Sequence, residues 1–352
     1  MTLFPASVVG SIPRPEFVRD LVERRRSVSP DDDARAMDAA IRYVIAMQER
    51  AGLDVVTDGE WRRRSYIGVI AELAHGFTLE TNPADGRPWT IVTEPLAARD
   101  VGFIAREARF LKAHATRGTK VTLPAPGLLG ERLWDQHRSA AAYPTRDDFA
   151  RACVPVLRRE IELIRDVGVD IVQIDDPYLC LFVDPEVRAG YEDPDRAADF
   201  AVDMINALVD GIDGVKFAVH LCRRAGARAR GERSHAGGYD PIIGALNRLR
   251  VHHLTMEFTA AGADDLESLG RLRSDFEIGL GCIDVTPGVI DTASAIAARV
   301  ERALSRVDAS RITVNPDCGF APGSAAKVDI DEVYAKLCAE VEATHILRRG
   351  HG

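Results

Sequence analysis

Several features that mark common protein classes are missing from this sequence of 352 residues. It has no run of about 18 apolar residues, which argues against a membrane-spanning helix. Residues 1–5 lack the charged and apolar regions of a signal peptide, so a cytoplasmic location is expected. The 54 acidic residues outnumber the 45 basic ones and give a net charge of −9. An acidic chain without a basic stripe is a poor candidate for binding nucleic acid.

Two local motifs are absent as well. No Cys-x-x-Cys pair occurs, which excludes the usual zinc-finger spacing. No Gly-x-Gly-x-x-Gly follows a predicted strand, so a dinucleotide-binding sheet has no support. The six cysteines are expected to be reduced in the cytoplasm, which leaves their thiols available to bind a metal.

Strand-like apolar runs and helix-like stretches alternate along the chain. The predicted strands cover residues 4–9, 53–57, 120–123, 170–174, 216–219, 253–256, 277–280 and 311–314. Helical spacing follows most of them, as over residues 33–51 and 146–167. This order predicts the α/β class and a (β/α)8 TIM barrel that forms a single domain over residues 1–352. A doubly wound parallel sheet gives a similar alternation and is the alternative.

One stretch breaks this alternation. Residues 76–118 contain a cluster of proline, glycine and asparagine around residues 82–88, followed by a polar segment. Such clusters mark turns. We therefore predict an insertion or hairpin near residues 76–118.

Four residues of metal-binding type stand at the C-terminal ends of predicted strands, where barrel enzymes carry their chemistry. His220 and Cys222 follow the fifth strand, Glu257 ends the sixth and Cys318 follows the eighth. Because side chains at i and i+2 point the same way on a strand, His220 and Cys222 can face one ion. An imidazole, two thiolates and a carboxylate favour Zn²⁺ over magnesium or calcium. The alternative is a set of unrelated buried residues, since cysteine is common in protein cores.

Further polar residues lie near the same strand ends. Glu60 and Asp175 are predicted to bind a substrate ammonium group and to act in catalysis, although acids in such places also cap the following helix. Ser11 can bind a carboxylate or cap a helix, and Arg14 can offer its charge to a carboxylate or sulfonate. Tyr239 is a candidate proton donor to an oxygen leaving group, with ordinary packing as the alternative.

Six short motifs occur in the order found in one enzyme family. They are Gly10-Ser11-Ile12-Pro13-Arg14, Asp58-Gly59-Glu60, Gln173-Ile174-Asp175-Asp176-Pro177, His220-Leu221-Cys222, Met256-Glu257 and Asp317-Cys318-Gly319. From about residue 7 to residue 345 the chain resembles the C-terminal catalytic barrel of the cobalamin-independent methionine synthases.

The resemblance implies roles for particular residues. The zinc ligands it implies are His220, Cys222, Glu257 and Cys318. The residues it implies for gripping the amino-acid substrate are Ser11, Glu60 and Asp175.

The sequence also departs from that family. Full-length synthases have a second, amino-terminal barrel that helps to bind the folate polyglutamate, and only one barrel is predicted here. The family's proton-donating histidine after the seventh strand is absent from residues 281–287, and its Asn-Trp-Ser after the third strand is replaced by residues 124–127. Cys222-Arg223-Arg224 followed by residues 237–240 is closer to single-barrel relatives. These include epoxyalkane:coenzyme M transferase and short synthases thought to use a corrinoid donor.

The charge of the predicted ligand set favours one kind of chemistry. Two thiolates and a carboxylate outweigh the charge of Zn²⁺, and the excess keeps a bound substrate sulfur electron-rich. Hydrolytic zinc sites usually have more neutral ligands. We therefore expect a zinc-dependent methyltransferase that moves a methyl group to a zinc-bound thiol, with homocysteine as the first acceptor and methionine as the product.

Other functions remain open at this stage. The donor can be a folate, a corrinoid or another methyl compound, and the acceptor can be another thiol such as coenzyme M. A zinc-binding protein without activity and a decarboxylase of the wider superfamily are further alternatives. Zinc content together with a thiol-consumption assay separates a transferase from a protein that only binds the metal.

Overall fold

Seven parallel strands follow one another across one sheet in the order in which they occur along the chain. They are β1 (Val55–Val56), β4 (Gly118–Pro124), β5 (Ile171–Asp175), β6 (Lys216–Leu221), β7 (His253–Glu257), β8 (Glu277–Ile283) and β9 (Ile312–Pro316). The computed structural model describes residues 2–24, 29–81, 88–224, 235–259, 265–321 and 328–352.

An eighth extended segment joins the two edges of this sheet. Ala6 forms a parallel bridge with Val314 of β9, and Ser7 forms one with Val55 of β1. The Ser7 amide donates to the Val314 carbonyl at 3.0 Å. The sheet therefore closes into the predicted barrel, and the sequential strand order excludes the doubly wound alternative.

The strands are apolar along most of their length because both of their faces are covered. In β4 and β8 every residue after the first is buried, as expected for parallel strands between a packed interior and an outer layer of helices. The register places the carboxyl ends together, since Asp175 of β5 pairs with His220 of β6, and Glu257 of β7 pairs with Gly281 of β8. Polar residues at these ends consequently meet at one mouth of the barrel.

Helices occupy the segments between the strands. Those of the described residues are α1 (Glu16–Glu23), α2 (Pro30–Ala51), α3 (Ile70–Leu73), α4 (Phe103–His114), α5 (Pro126–Leu133), α6 (Arg146–Val167), α7 (Pro177–Leu181), α8 (Pro185–Ala189), α9 (Pro194–Val209), α10 (Ile243–Leu246), α11 (Ala293–Ala303) and α12 (Ile330–His351). None of the helices in the described part of the chain has the length and apolar character that crossing a membrane requires.

Side-chain caps decide where the long helices begin. The Ser29 hydroxyl accepts from the amide of Asp32, so α2 begins three residues before the predicted start. Thr145 and Asp148 form a reciprocal capping box at the start of α6. Leu266–Arg271, between β7 and β8, form a 3₁₀ helix.

The segment predicted as an insertion contains an antiparallel hairpin of β2 (Ala74–Thr81) and β3 (Pro88–Ala98), followed by α4. The turn signals of residues 82–87 lie outside the described residues. The hairpin packs against α5, since the Trp89 indole donates to the carbonyl of Arg132 in that helix at 3.1 Å. The insertion is thereby attached to a helix that leads from the mouth of the barrel.

Candidate metal and substrate site

Three of the predicted metal ligands meet at the barrel mouth. One ligand atom from each of His220, Cys222 and Cys318 lies within 4.8 Å of the other two. The two sulfur atoms are 3.5 Å apart, and all three side chains are buried. Their hydrogen bond and the burial raise the pKa of Cys222 well above its ordinary value, so a cation beside this thiol is needed to favour its thiolate form.

His220 is oriented by a carboxylate. Its Nδ1 lies 3.3 Å from Oδ1 of Asp175, and its buried Nε2 has no hydrogen-bond partner among the described residues. Burial lowers the pKa of His220, but the hydrogen bonds with Asp175 and Cys222 raise it by more, to about 10. The surroundings of this ring therefore favour a positive charge.

Glu257 stands next to this cluster but is not one of its members. Its Oε2 accepts from the backbone amide of Arg223 at 2.7 Å, and its carbonyl accepts from Arg223 Nη1 at 2.8 Å. Both side chains are fully buried. The structure therefore gathers three of the four predicted ligands and holds the fourth against the backbone that follows Cys222.

Tyr239 supports the backbone of Glu257. Its hydroxyl donates to the Glu257 carbonyl at 3.2 Å and accepts from the Glu257 amide at 2.9 Å. The ring lies beneath the Arg223 guanidinium, 4.2 Å from its central carbon. Burial raises the pKa of Tyr239 well above its ordinary value. In this geometry the hydroxyl proton is directed to a backbone carbonyl, and the role of Tyr239 as a proton donor stays a prediction.

A fixed hydrogen bond holds the side chain of Glu60. Thr122 Oγ1 lies 2.8 Å from Glu60 Oε1 and accepts from Arg63 Nη1 at 3.0 Å, so its own proton is directed to Glu60. Glu60 has a backbone φ of 60°, which is uncommon for a residue other than glycine. Burial raises the pKa of Glu60, against the charge of Arg63.

Arg14 is not among the residues that line the cavity, so its role in binding substrate stays a prediction. Its Nη2 donates to the backbone carbonyls of Glu60 and Arg63, at 2.5 and 2.6 Å. The guanidinium is used to hold the loop that follows β1. Arg14 therefore fixes the position of Glu60.

Ser11 and Asp175 both line the cavity, as their predicted roles require. Ser11 Oγ accepts from the amide of Ala321 at 3.3 Å. Helix capping, the alternative role for Asp175, is carried out by its neighbour Asp176. The Asp176 carboxylate accepts from the Leu179 amide at 2.9 Å and caps the start of α7. Burial raises the pKa of Asp176 to about 7.

These groups surround one cavity of about 160 Å³. Its hydroxyl, acidic and metal-binding side chains include Ser11, Glu60, Glu131, Asp175, His220, Cys222 and Cys318. Its apolar and aromatic residues include Tyr66, Leu128, Tyr178 and Leu181. The cavity can therefore hold a small amphipathic molecule against the sulfur atoms.

Several lining residues were not singled out from the sequence. Arg132 of α5 and Arg224, which follows Cys222, add two cations to the cavity. The position of α5 directly after β4 was the available signal, because helix starts after barrel strands reach the mouth. Two arginines of the run at residues 62–64 have different surroundings. Arg63 is buried and pairs with Glu107 at 2.8 Å, while Arg62 pairs with Asp38 nearer the surface.

The donor atoms present fit a zinc ion. Two zinc–sulfur bonds of about 2.3 Å at a tetrahedral angle separate the sulfur atoms by about 3.8 Å, close to the 3.5 Å found between Cys222 and Cys318. The buried Nε2 of His220, without a hydrogen bond to any described residue, offers a third donor. A carboxylate on the other ring nitrogen is the usual arrangement for a metal-binding histidine.

Comparison with known proteins identifies the family of the chain. The family model described as "Cobalamin-independent synthase, Catalytic domain" matches residues 4–345. The chain belongs to this family. Its predicted resemblance to the cobalamin-independent methionine synthases is thus confirmed.

Family members of similar length occur in archaea. A protein named methionine synthase from Saccharolobus islandicus is 28% identical over 356 residues, covering 99% of this chain and 96% of the relative. One of the same name from Sulfolobus acidocaldarius is 26% identical over 329 residues, covering 91% and 86%.

Solved structures share the fold of this family member. The B12-independent methionine synthase from Shewanella sp. W3-18-1, in complex with selenomethionine, has a TM-score of 0.79 at 22% identity, with 99% of each chain covered. A putative vitamin-B12 independent methionine synthase from Listeria monocytogenes has a TM-score of 0.74 at 23% identity, with 99% and 98% covered. At these identities the likeness concerns the barrel fold.

Proposed function

We propose that the protein is a zinc-dependent methyltransferase that transfers a methyl group to the thiol of homocysteine and releases methionine. The observation that carries the proposal is the meeting of His220, Cys222 and Cys318 within 4.8 Å at the mouth of the barrel. Family membership and archaeal relatives named methionine synthase support the same reaction. A single barrel over residues 1–352 and a cytoplasmic location remain predictions of the sequence.

His220, Cys222 and Cys318 would hold the zinc ion, with Glu257 as the fourth ligand or as a carboxylate beside it. When bound, zinc keeps a coordinated thiol deprotonated and nucleophilic at neutral pH. Burial of both cysteines excludes water from the sulfur atoms. A dry, electron-rich site of this kind suits attack on a methyl carbon.

Two of the cavity acids, Glu60 and Asp175, would orient the acceptor. Glu60 and Asp175 are buried near each other, and the charge of Asp175 contributes to the raised pKa of Glu60. An ammonium group placed between them relieves that repulsion. Ser11 lies on the same cavity and offers its hydroxyl to the carboxylate of an amino acid. These contacts would leave the thiol of homocysteine directed at the cysteine cluster.

The remainder of the cavity would receive the methyl donor. Tyr66, Leu128, Tyr178 and Leu181 provide apolar and aromatic contact for a molecule that carries the methyl group. The family's tryptophan after the third strand is absent, so a flat pterin would have to be held differently here. The class of donor, whether a folate, a corrinoid or a simpler methyl compound, is therefore part of the test.

A second acceptor class has one observation in its favour. Arg132 and Arg224 line the cavity, and a sulfonate or carboxylate is a natural partner for a guanidinium. A thiol such as coenzyme M carries the sulfonate but lacks the ammonium group that Glu60 and Asp175 would bind. Glu60→Gln distinguishes the two acceptor classes. It should lower activity with homocysteine and leave activity with a sulfonate thiol unchanged.

The experiment combines metal content with turnover. Purified protein is measured for zinc and assayed with homocysteine and coenzyme M against methyltetrahydrofolate, methylcobalamin and simple alkyl donors. We expect about one zinc ion per chain and production of methionine with one of these donors. Cys318→Ser should lose both zinc and activity. Cys153→Ser is the matched control, since Cys153 is equally buried but lies in α6, outside the cluster.

Two results would contradict the proposal. One is wild-type protein that binds no zinc and makes no methionine from any donor in the panel. The other is a Cys318→Ser variant that keeps both properties at the level of the Cys153→Ser control.

A further inference from the structure

A lysine lies inside the barrel without a carboxylate to pair with. Lys120 of β4 is 2% exposed, and no ion pair joins it to any described residue. Its ammonium group donates to the carbonyl of Val8 and to Oε1 of Gln173, the latter at 3.3 Å. A buried charge without a counter-ion opposes folding unless hydrogen bonds offset its desolvation. The cost of keeping Lys120 here points to a role for its contacts.

Its contact with Gln173 fixes the orientation of an amide. An ammonium group only donates hydrogen bonds, so the oxygen end of Gln173 must face Lys120. The NH₂ end is then directed the other way, where Nε2 donates to the Val9 carbonyl at 3.0 Å and to Asp175 Oδ1 at 2.8 Å. Reversing the amide would place two donors against each other at Lys120.

The same oxygen of Asp175 also meets the predicted metal ligand. Oδ1 of Asp175 is 3.3 Å from Nδ1 of His220. With Gln173 donating from one side and the imidazole from the other, the carboxylate has a defined position. A metal ion at the buried Nε2 would displace the proton there and leave the remaining ring proton on Nδ1, facing Asp175. Four side chains thus form one chain of contacts from the barrel interior to the cysteine cluster.

We propose that Lys120 and Gln173 are positioning residues, which hold Asp175 and through it set the tautomer and orientation of the His220 ring. The inference rests on the proposed function, because it assigns Nε2 of His220 to zinc. It adds two residues from the barrel interior, neither of which touches the cavity. The competing explanation is that Lys120 only ties β4 to the segment that closes the barrel, through the Val8 carbonyl.

Zinc affinity of the whole protein distinguishes these explanations. The variants are Lys120→Met, Gln173→Met and the double substitution, each titrated with zinc in competition with a chromophoric chelator. Loss of a partner behind a metal-binding histidine lowers metal affinity by roughly 10- to 100-fold. We expect a loss in this range for each single variant. The double variant should lose little more, because both substitutions break the same chain.

The matched control is a second buried lysine. Lys336 is 1% exposed, donates to the carbonyls of Asp284 and Thr286 and pairs with Glu332 at 3.1 Å. None of these residues lines the cavity. Lys336→Met should lower the urea midpoint of the metal-free protein but leave zinc affinity unchanged. A second measurement, ¹⁵N NMR of the histidine rings in zinc-loaded protein, should show one His220 tautomer in wild type and altered ring signals in the Gln173 variant.

Each result has a definite meaning. If wild type binds zinc and both single variants bind it equally well, the positioning role is wrong while the proposed function stands. If wild type binds no zinc, the proposed function fails and the inference fails with it. Should Lys120→Met not fold, Gln173→Met decides alone, since it leaves Lys120 bound to the Val8 carbonyl. If Lys336→Met loses as much zinc affinity as the Lys120 and Gln173 variants, the loss reflects general destabilisation of the protein, and the inference is overturned.

Discussion

The sulfur atoms of Cys222 and Cys318 lie 3.5 Å apart, although 96 residues separate the two cysteines along the chain. Two other strands, β7 and β8, stand between the strands that precede them. Only a closed, curled sheet brings the ends of β6 and β9 together across its mouth. The pairing of the two thiols is therefore a property of the whole barrel.

This proximity makes the metal-free site sensitive to oxidation. Two thiols in van der Waals contact can form a disulfide, whereas coordinated thiolates are held by the metal. We expect chelator-treated protein to lose two titratable thiols and its capacity to rebind zinc when a mild oxidant is added, and to recover both with a reductant. Thiol titration under denaturing conditions measures this. Zinc-loaded protein treated in the same way is the control, and equal thiol loss with and without zinc would contradict the expectation.

Tyr239→Phe distinguishes a role in holding Glu257 from the predicted role as proton donor. The substitution removes both hydrogen bonds between the Tyr239 hydroxyl and the buried backbone of Glu257, although the carbonyl keeps its bond from Arg223. We expect a fall of about 1–3 kcal/mol in the free energy of unfolding and a lower turnover number without a change in the shape of the pH–rate profile. Urea denaturation and steady-state kinetics from pH 6 to 9 provide the comparison. Disappearance of the basic limb of the profile would identify Tyr239 as a proton donor.

Gly10→Ala tests how tightly Glu60 is held. A methyl group at residue 10 would stand 2.6 Å from Glu60 Oε1 and 2.8 Å from Thr122 Cγ2, so the carboxylate has to move. We expect KM for homocysteine to rise by about tenfold, equivalent to about 1.4 kcal/mol. Gly244→Ala is the control, because a methyl group there meets nothing within 4 Å. Unchanged kinetics in the Gly10 variant would show that Glu60 does not bind the acceptor.

The buried lysine predicts an effect of pH on stability. Burial lowers the pKa of Lys120 to about 8, against the opposing charges of Asp175 and Glu340. Between about pH 8 and the ordinary lysine pKa of about 10.4 the unfolded chain binds more protons than the folded one. This group therefore makes the folded state more stable as pH rises.

Comparison with Lys120→Met isolates that contribution. The free energy of unfolding of wild type relative to the variant should increase between pH 7.5 and 9.5, by an amount on the order of 1 kcal/mol. Urea midpoints of the metal-free proteins at both pH values give the answer, with Lys336→Met as the reference. A difference that stays constant over this range would show that Lys120 remains charged when buried.

The sequence predicted the barrel and the convergence of the ligands for one physical reason. Parallel strands that are covered on both faces appear in the sequence as continuous apolar runs. Because all of these strands end at one mouth of the barrel, the polar residues that follow the runs lie near one another there. His220, Cys222 and Cys318 could be assigned to one site from this rule alone. The rule also located Glu60 and Asp175, which both line the cavity.

The directions of long side chains could not be predicted in this way. Arg14 binds two backbone carbonyls of a loop whose path depends on a positive φ at Glu60. Tyr239 reaches Glu257 from the loop end just before α10, and the sequence around Tyr239 does not indicate this partner. The contacts of Lys120 and Gln173 lie across neighbouring strands, and their amino-acid types alone do not indicate which partner each one has. These features depend on packing between distant segments.

The position of the β2–β3 hairpin has a consequence for how the substrate preference of such a protein can change. The Trp89 indole donates to the carbonyl of Arg132, which lines the cavity. His220 and the two cysteines of the cluster instead lie at the ends of barrel strands. Insertions or exchanges in the hairpin can therefore reshape one side of the chamber while the metal-binding side stays intact. Proteins with the same sulfur and nitrogen donors can thus come to accept different compounds through changes in this appendage alone.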